Sequence, residues 1–371
     1  MARAKQSEWS FTYLDIFLLA VPAAIALRYL PGWGSGPALF IVSSVAIVPL
    51  AGWMGRATEQ LAARSGTAIG GFLNATFGNA AELIIALVAL HKGLTGVVKA
   101  SITGSIIGNL LLVLGASILA GGIRYRKQTF NQTAARISAT SLGLGAIALL
   151  IPTVFHQAAA SRPGGWTDEA EQKLSLAIVV VLFLTYFFSL LFHLVTHREL
   201  FAGPDEEKKS AESHWPLWQS ITALAVATAV IAWLSEFLVG SIESARHSLG
   251  LTETFVGVVV VALVGNAAEH STAVWAAWKN KMDLSLTIAT GSSLQMALFV
   301  TPLLVFCSYW FGDPMTLEFS LPEIASIVLS IWIVGQISGD GESNWLEGAQ
   351  LLSVYIIIGI LFYYLPALPH H

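Results

Sequence analysis

The sequence predicts an all-α polytopic membrane protein with about eleven transmembrane helices, arranged as one N-terminal helix followed by two inverted five-helix repeats. Of its 371 residues, 55% are hydrophobic and only 11% are charged, whereas a soluble domain has about 25% charged residues. The apolar residues also form long blocks, and roughly 20 apolar residues let a helix cross a bilayer. A third observation is that one stretch of sequence occurs twice.

Eleven apolar segments are candidate helices, and turns rich in glycine and proline separate them. The expected segments are 12–30, 36–54, 67–90, 94–120, 133–154, 173–196, 216–238, 253–278, 284–310, 319–337 and 345–365. We expect the chain to consist of a peripheral N-terminal helix (1–34), a first repeat (35–197), a cytoplasmic acidic linker (198–214) and a second repeat (215–371).

The distribution of Lys and Arg between the loops predicts the orientation in the membrane. Basic residues are more frequent in the loops on the side of the N-terminus, which places that terminus in the cytoplasm and the C-terminus on the opposite side. The polar stretch 198–214 is then cytoplasmic, and a solvated linker explains it better than a regulatory cation sensor.

The repeated stretch reads GNAAE at residues 78–82 and again at residues 265–269. With the same offset, Lys92 matches Lys279 and Ser105 matches Ser292. Each repeat contains five predicted helices, and an odd number makes the two repeats enter the membrane from opposite sides. Inverted repeats of this kind are the architecture of alternating-access transporters.

Glu82 and Glu269 are placed alike in the two repeats, and each lies well inside an apolar helix. A charged side chain at mid-membrane costs roughly 2.5–3.5 kcal/mol on insertion scales. A structural ion pair is the simplest compensation, but no Lys or Arg lies at a similar depth in any predicted span. The sequence therefore favours a bound cation, or protons, as the positive charge that these two carboxylates share.

Asn79 and Asn266 precede the two glutamates by three residues, which places each Asn and Glu on one helix face. Amide and carboxylate oxygens are the ligands that a hard cation takes. The preceding Gly78 and Gly265 allow either close helix approach or a local break. One such motif would be weak evidence, but its repetition in register is strong evidence for an ion site.

Ser105 and Ser292 lie on the following helix of each repeat, and the polar residues Asn109 and Gln295 come shortly after them. Their hydroxyl and amide oxygens could complete the six to eight ligands that calcium prefers. Hydrogen bonds between helices explain the same residues equally well, so both interpretations stay open.

His270 and Glu59 are further candidates for carrying protons. His270 directly follows the second glutamate, where a structural role is favoured over a proton relay. Glu59 is expected near the cytoplasmic end of the second helix, where solvent explains it and a cation vestibule is the alternative. His193 is interpreted as an interface or packing residue.

Several classes of function lack support in the sequence. There is no nucleophile–base pattern and no phosphate-binding loop, so neither an enzyme nor an ATP-driven pump is indicated, and no cofactor is expected. No basic run suggests nucleic acid, and Cys307 alone cannot form a cysteine metal site. An intramembrane hydrolase lacks its catalytic groups, and the inverted repeat disfavours a cation channel.

The segments around the repeated motif resemble a known family. The stretches GGFLNATFGNAAELIIALVAL (70–90) and GSIIGNLLLVLGAS (104–117) resemble the first α-repeat of the calcium/proton antiporters, the CAX family of the cation/calcium exchanger superfamily. The stretches VGNAAEHSTAVWAAWKNKMDL (264–284) and GSSLQMALFVTPLL (291–304) resemble its second α-repeat. Sodium/calcium exchangers are similar in fold but have a Ser/Thr-Pro-Glu/Asp pattern where GNAAE stands here, which favours protons as the counter-ion.

This resemblance implies an exchanger of Ca²⁺ for H⁺ that works by alternating access, in which Glu82 and Glu269 bind either the cation or protons. It also implies cation ligation by Asn79, Glu82, Asn266 and Glu269, with contributions from Ser105, Ser292 and Gln295. A Na⁺/H⁺ antiporter that uses the same acidic pair is the alternative. The short N-terminus and short acidic linker fit a prokaryotic plasma membrane. Membrane lipid is the expected partner, and a homo-oligomer stays open.

Overall fold

The computed structural model describes residues 13–30, 36–160, 165, 167–197 and 215–365, and nearly all of them are helical. A 3₁₀ segment, Tyr13–Leu19, leads into the first helix. The α-helices are α1 (Ala20–Tyr29), α2 (Pro37–Arg64), α3 (Gly66–Phe77), α4 (Ala80–His91), α5 (Thr95–Ile107), α6 (Leu114–Arg124), α7 (Gln132–Ala160), α8 (Asp168–Leu191), α9 (Leu217–Leu249), α10 (Glu253–Phe255), α11 (Ala262–Trp278), α12 (Met282–Gln295), α13 (Thr301–Phe311), α14 (Leu321–Ile337) and α15 (Trp345–Tyr364).

Several of these helices continue one another through π-helical turns. Such turns join α5 to α6 (Gly108–Val113), extend α8 (Phe192–Thr196), join α10 to α11 (Val256–Val261) and join α12 to α13 (Met296–Val300). Eight of the resulting stretches are long and apolar enough to cross a membrane, and α4 and α14 are shorter apolar helices. If α3 and α4 are taken as one broken segment and the N-terminal helix is included, the described residues give the eleven segments that the sequence predicts.

The two predicted repeats pack against each other at their centre. The first long helix of each repeat, α2 and α9, forms the most extensive helix pair of the described chain. Another close contact between the repeats joins α5 to the π turn before α11 through glycines. A Cβ on Gly104 would lie 2.0 Å from the Val258 carbonyl oxygen, and one on Gly257 would lie 2.5 Å from Cβ of Ala100. Only residues without a side chain let the two backbones approach so closely.

The two glycines of the repeated motif behave differently. In the first repeat the helix breaks at the motif, because α3 ends at Phe77 and α4 begins at Ala80, with Asn79 at φ −97° and ψ 25°. In the second repeat α11 runs through Gly265 without a break. A Cβ on Gly265 would lie 2.7 Å from Cγ of Glu82, so this glycine provides close approach instead. Of the two alternatives that the sequence left open, the local break is found in the first repeat and the close approach in the second.

One small element was not predicted. The loops after α6 and after α14 pair as a short antiparallel ladder, β1 (Gln128–Thr129) with β2 (Glu342–Ser343), and Lys127 forms an ion pair with Glu342 beside it. This ladder joins a loop of the first repeat to a loop of the second. The predicted acidic linker, 198–214, lies outside the described residues.

Candidate functional site

Glu82 and Glu269 come from different repeats and pack against each other's motif. Glu82 lies in the first turn of α4, where the unpaired amides of a helix N-terminus favour a negative charge, whereas Glu269 lies in the middle of α11. The Cγ of Glu82 lies over Gly265, and a Cβ on Gly78 would be 3.5 Å from Oε1 of Glu269. Each glutamate thus lies against the glycine that begins the other motif.

Hydrogen bonds connect the serine of each repeat to the asparagine of the other. Asn266 donates from Nδ2 to Oγ of Ser105 at 3.1 Å, and Ser292 donates from Oγ to Oδ1 of Asn79 at 2.7 Å. All four side chains are buried. The structure therefore brings together the two asparagines and two serines that sequence reasoning proposed as cation ligands.

Two amide side chains extend this network beyond the repeat symmetry. Gln295 accepts a hydrogen bond at Oε1 from Nδ2 of Asn79 at 2.6 Å. Asn109 donates from Nδ2 to Oγ of Ser292 at 2.9 Å and faces Oδ1 of Asn266 at 3.4 Å. Gln295 belongs to the predicted ligand set, whereas Asn109 is in the sequence only a polar residue near Ser105. The repeat gave no signal for Asn109, because its counterpart at the same offset is Met296.

The two carboxylates retain unused hydrogen-bonding capacity. Glu82 is 3% exposed, and among the described residues Oε2 of Glu82 and Oε2 of Glu269 are buried without a hydrogen-bond partner. The negative charge of Glu269 acts directly on Glu82. Two carboxylates with free oxygens, surrounded by amide and hydroxyl groups, form a donor set suited to a hard cation or to protons.

A cavity of about 150 Å³ leads to this site from the loops at one end of the molecule. Asn131 and Asp283 line its mouth, and Gly291 and Gln295 line its inner end. By the predicted orientation this mouth faces the cytoplasm. His193 also lines the cavity, so it has a polar setting in addition to the packing role that the sequence suggested. Asp283 was missed by sequence reasoning, because an acidic residue at a helix start is usually explained by capping.

The two additional proton candidates lie in different places. His270 lines a narrow cleft with Gly104, Asn266 and Tyr355, and within the described chain its Nε2 is buried without a hydrogen-bond partner. Glu59 lies near the end of α2 and is exposed. The hydrogen bonds found among the described residues do not connect Glu59 to the Glu82–Glu269 site.

Residues 35–195 and 219–364 match the model of the sodium/calcium exchanger protein family. The chain belongs to this family. It is 46% identical over 365 residues to the Ca(2+)/H(+) antiporter of Aphanothece halophytica, with 95% of this chain and 96% of the relative covered. It is 45% identical over 356 residues to the Ca(2+)/H(+) antiporter ChaA of Bacillus subtilis (strain 168), with 94% and 99% covered.

Solved structures of the exchanger family agree with the fold. The structure of native YfkE is similar with a TM-score of 0.81 and 43% identity, covering 95% of this chain and 100% of that chain. The crystal structure of the H⁺/Ca²⁺ exchanger CAX has a TM-score of 0.67 at 14% identity, covers 94% of this chain and 90% of that chain, and supports the fold alone. The predicted resemblance to calcium/proton antiporters and the predicted fold class are confirmed.

Proposed function

We propose that this protein exchanges Ca²⁺ for H⁺ across a membrane, with Glu82 and Glu269 binding either the cation or protons. The observation that carries the proposal is the pair of carboxylates, one from each repeat, whose buried Oε2 atoms have no hydrogen-bond partner in the described chain. The names of the relatives at 45–46% identity support Ca²⁺ and H⁺ as the exchanged ions. The Na⁺/H⁺ alternative has no comparable support.

The proposed ligands of Ca²⁺ are the two carboxylates, the amide oxygens of Asn79 and Asn266, and neighbouring hydroxyl and amide oxygens. Ca²⁺ takes six to eight oxygen ligands in flexible geometry. The side chains within the hydrogen-bond network offer enough oxygens, namely those of Ser105, Ser292, Asn109 and Gln295. The mixture of anionic and neutral oxygens supplies two negative charges, which match one Ca²⁺ or two protons.

Coupling follows from the cost of charge in a low-dielectric interior. With both carboxylates ionised and no cation, two like charges lie close together, and their repulsion is strong where the dielectric constant is low. One Ca²⁺ or two protons neutralise the pair. The protein therefore switches readily between its inward-open and outward-open conformations when Ca²⁺ or protons are bound. It switches slowly when both carboxylates are ionised and no cation is bound, so the movement of one ion depends on the other.

Alternating access is proposed from the two repeats, residues 35–197 and 215–371, and from the cavity between Asp283 and Gln295. The cavity supports a conformation that opens toward the predicted cytoplasmic side. The repeats enclose the site between equivalent helices, so that a relative movement of α2 and α9 against the remainder would expose it to the other side. A prokaryotic plasma membrane is the proposed location, with the N-terminus in the cytoplasm.

Transport by purified protein in liposomes tests this function. With a pH gradient imposed, the wild-type protein should take up Ca²⁺ and release protons, whereas Glu82→Gln and Glu269→Gln should each reduce exchange to the background of empty liposomes. Gln preserves the size of the side chain but removes the charge that both ions require. Glu243→Gln is the matched control, because Glu243 is 64% exposed and pairs with Arg246 and His247 near the end of α9.

Three outcomes would decide the proposal. Normal exchange by either site variant, with the control unaffected, would refute the role of the carboxylates. Uptake of Na⁺ in place of Ca²⁺ by the wild-type protein would favour the monovalent alternative. Loss of exchange only in the two site variants would support the proposed function.

A further inference from the structure

A second group of potential ligands lies away from the proposed exchange site, which is formed by Glu82, Glu269 and the amide and hydroxyl groups around them. His156 lies near the end of α7, Glu171 in the first turn of α8, and Glu318 in the loop before α14. One ligating atom from each lies within 4.8 Å of the other two. Nδ1 of His156 is 2.9 Å from Oε1 of Glu171, and Nε2 is 3.8 Å from Oε1 of Glu318. None of these three segments supplies a residue to the exchange site.

The loop that carries Glu318 is fixed on both sides by buried hydroxyl groups. The amide of Leu317 donates to Oγ of Ser175 at 2.9 Å. Thr153 accepts from the amide of Phe319 at 3.0 Å and donates to its carbonyl oxygen at 3.1 Å. These bonds attach the backbone around Glu318 to α7 and α8, which are the helices that carry His156 and Glu171. The three side chains are therefore held together by the fold itself and not only by their mutual contacts.

The charges around this cluster favour a divalent cation. Glu171 is 4% exposed, and Glu323 at 6% is a second buried carboxyl group nearby. Lys99 is the basic group that the structure places beside them. Its Nζ donates to the carbonyl oxygen of Glu318 at 2.6 Å, and it interacts with the charges of Glu318, Glu323 and Glu171. Three carboxyl groups against one ammonium leave two negative charges when they are ionised and His156 is neutral, and one dication would balance them.

We propose that His156, Glu171 and Glu318 form a binding site for a transition-metal dication of the Zn²⁺ class, separate from the exchange site. Zn²⁺ binds imidazole nitrogen and carboxylate oxygen at about 2.0–2.2 Å, so the ligand atoms of a tetrahedral site are about 3.4 Å apart. An imidazole binds one ion through one nitrogen only, and with one ligand atom taken from each residue the three atoms lie within 4.8 Å of one another. Small side-chain rotations would bring them to the spacing of a tetrahedral site.

The donor set also distinguishes this metal from the proposed cargo. Ca²⁺ takes oxygen ligands, six to eight of them, whereas imidazole nitrogen suits Zn²⁺ and its neighbours in the first transition row. Three protein ligands leave a fourth position for water. A bound dication would join α7, α8 and the loop before α14 at the face that the orientation assigns to the outside.

Zinc binding to the purified full-length protein tests this site. ZnCl₂ is titrated calorimetrically into the protein in detergent with CaCl₂ in excess, so that Ca²⁺ occupies the exchange site. The wild-type protein should bind one more Zn²⁺ per chain than His156→Gln, or bind it at least about ten-fold more tightly. Glu318→Gln should show the same loss, and its partly exposed side chain makes it the safer variant for folding.

The matched control is His247→Gln. His247 also contacts a glutamate, Glu243, at 2.8 Å, but both are exposed and lie on one helix. Its removal should leave the high-affinity zinc site unchanged. Each variant is accepted after size-exclusion chromatography shows a monodisperse peak. X-ray absorption spectra at the zinc edge should show one imidazole together with oxygen ligands in the wild-type protein. Equal zinc binding by the wild-type protein, His156→Gln and Glu318→Gln would overturn the proposal, and so would a loss of the same size in His247→Gln.

The zinc titration and the liposome assay together separate this site from the proposed exchange function, on which the zinc site does not depend. Glu82→Gln should keep the zinc site while losing exchange, and His156→Gln should lose the zinc site while still binding Ca²⁺. If zinc binding disappears with Glu82→Gln alone, the metal occupies the exchange site and the second site is refuted. If exchange is absent from the wild-type protein but zinc binding depends on His156, the proposed function fails and the zinc site stands.

Discussion

The two serines of the exchange site are equivalent by sequence but not by structure, and this difference gives a quantitative prediction. Ser292 bonds to Asn79 at 2.7 Å and to Asn109 at 2.9 Å, with a longer contact to Asn266 at 3.5 Å, whereas among the described residues Ser105 has one side-chain bond, to Asn266 at 3.1 Å. A hydrogen bond contributes about 1 kcal/mol net. Ser292→Ala should therefore weaken Ca²⁺ binding by about 2 kcal/mol, or roughly thirty-fold, and Ser105→Ala by about 1 kcal/mol, or roughly five-fold.

The assay is initial Ca²⁺ uptake into liposomes at a fixed pH gradient, from which the half-saturating concentration is obtained for each variant. Both substitutions remove one hydroxyl oxygen from the site, so the difference between them reports the additional hydrogen bonding of Ser292. Ser293→Ala is the control, because its hydroxyl contacts main-chain carbonyls, those of Ala289 at 3.0 Å and Ile106 at 3.4 Å, and none of the proposed ligand side chains. An equal or larger effect of Ser105→Ala would refute the argument that Ser292 positions the amide ligands.

Two further predictions concern the ligand set and the topology. Asn79→Ala and Asn266→Ala should each raise the half-saturating Ca²⁺ concentration roughly ten-fold, which corresponds to about 1.4 kcal/mol. The pH dependence should stay unchanged, because an amide supplies oxygen but does not titrate. Wild-type half-saturation in both variants would refute their role as ligands. In a Cys307→Ser background, Asp283→Cys should react with an impermeant thiol reagent only from the cytoplasmic side, and Asp313→Cys only from the opposite side. Labelling of both from one side would contradict the proposed orientation.

The centre of the site could be predicted from the sequence because the repeat places its residues twice. Glu82 and Glu269 were identifiable since a carboxyl group within an apolar span is costly, and its recurrence at one offset excludes accident. The structure brings both to one place, together with Asn79 and Asn266. The cost of burying charge in a membrane is what singles out these two candidate residues in one sequence.

The parts that break the symmetry could not be predicted. Both motifs begin with glycine, yet only the chain at Gly78 leaves the helix, because Gly265 instead receives the stem of Glu82. Asn109 enters the network without a counterpart in the second repeat. The helix break and the position of Asn109 both depend on which helices lie next to each other, and this is decided by tertiary packing.

The cluster on α7, α8 and the loop before α14 shows a second limit of sequence reasoning. Glu171 follows His156 by 15 residues. Glu318 lies in the other predicted repeat. No spacing rule for metal ligands joins positions so far apart, since the usual motifs are local. The loop geometry set by Thr153 and Ser175 brings them together, and that geometry depends on helix packing.

The last prediction concerns pH. If the same two carboxylates bind Ca²⁺ and protons, protonation removes the anionic ligands, so acid must weaken Ca²⁺ binding. By linkage, each proton released on binding contributes a slope of one to the logarithm of the dissociation constant against pH. The slope should therefore approach two, about a hundred-fold per pH unit, where both carboxyl groups are protonated, and should reach zero where both are ionised.

Calorimetric Ca²⁺ titrations of the detergent-solubilised protein at several pH values measure this slope. Glu82→Gln leaves one titrating carboxyl group, so any residual binding should show a slope no greater than one. Glu59→Gln and His270→Gln test the two additional proton candidates. If Ca²⁺ and protons compete only at Glu82 and Glu269, both variants should keep the wild-type slope. An affinity that does not change with pH would show that protons travel through other residues, and a lower slope in Glu59→Gln or His270→Gln would identify which of the two carries them.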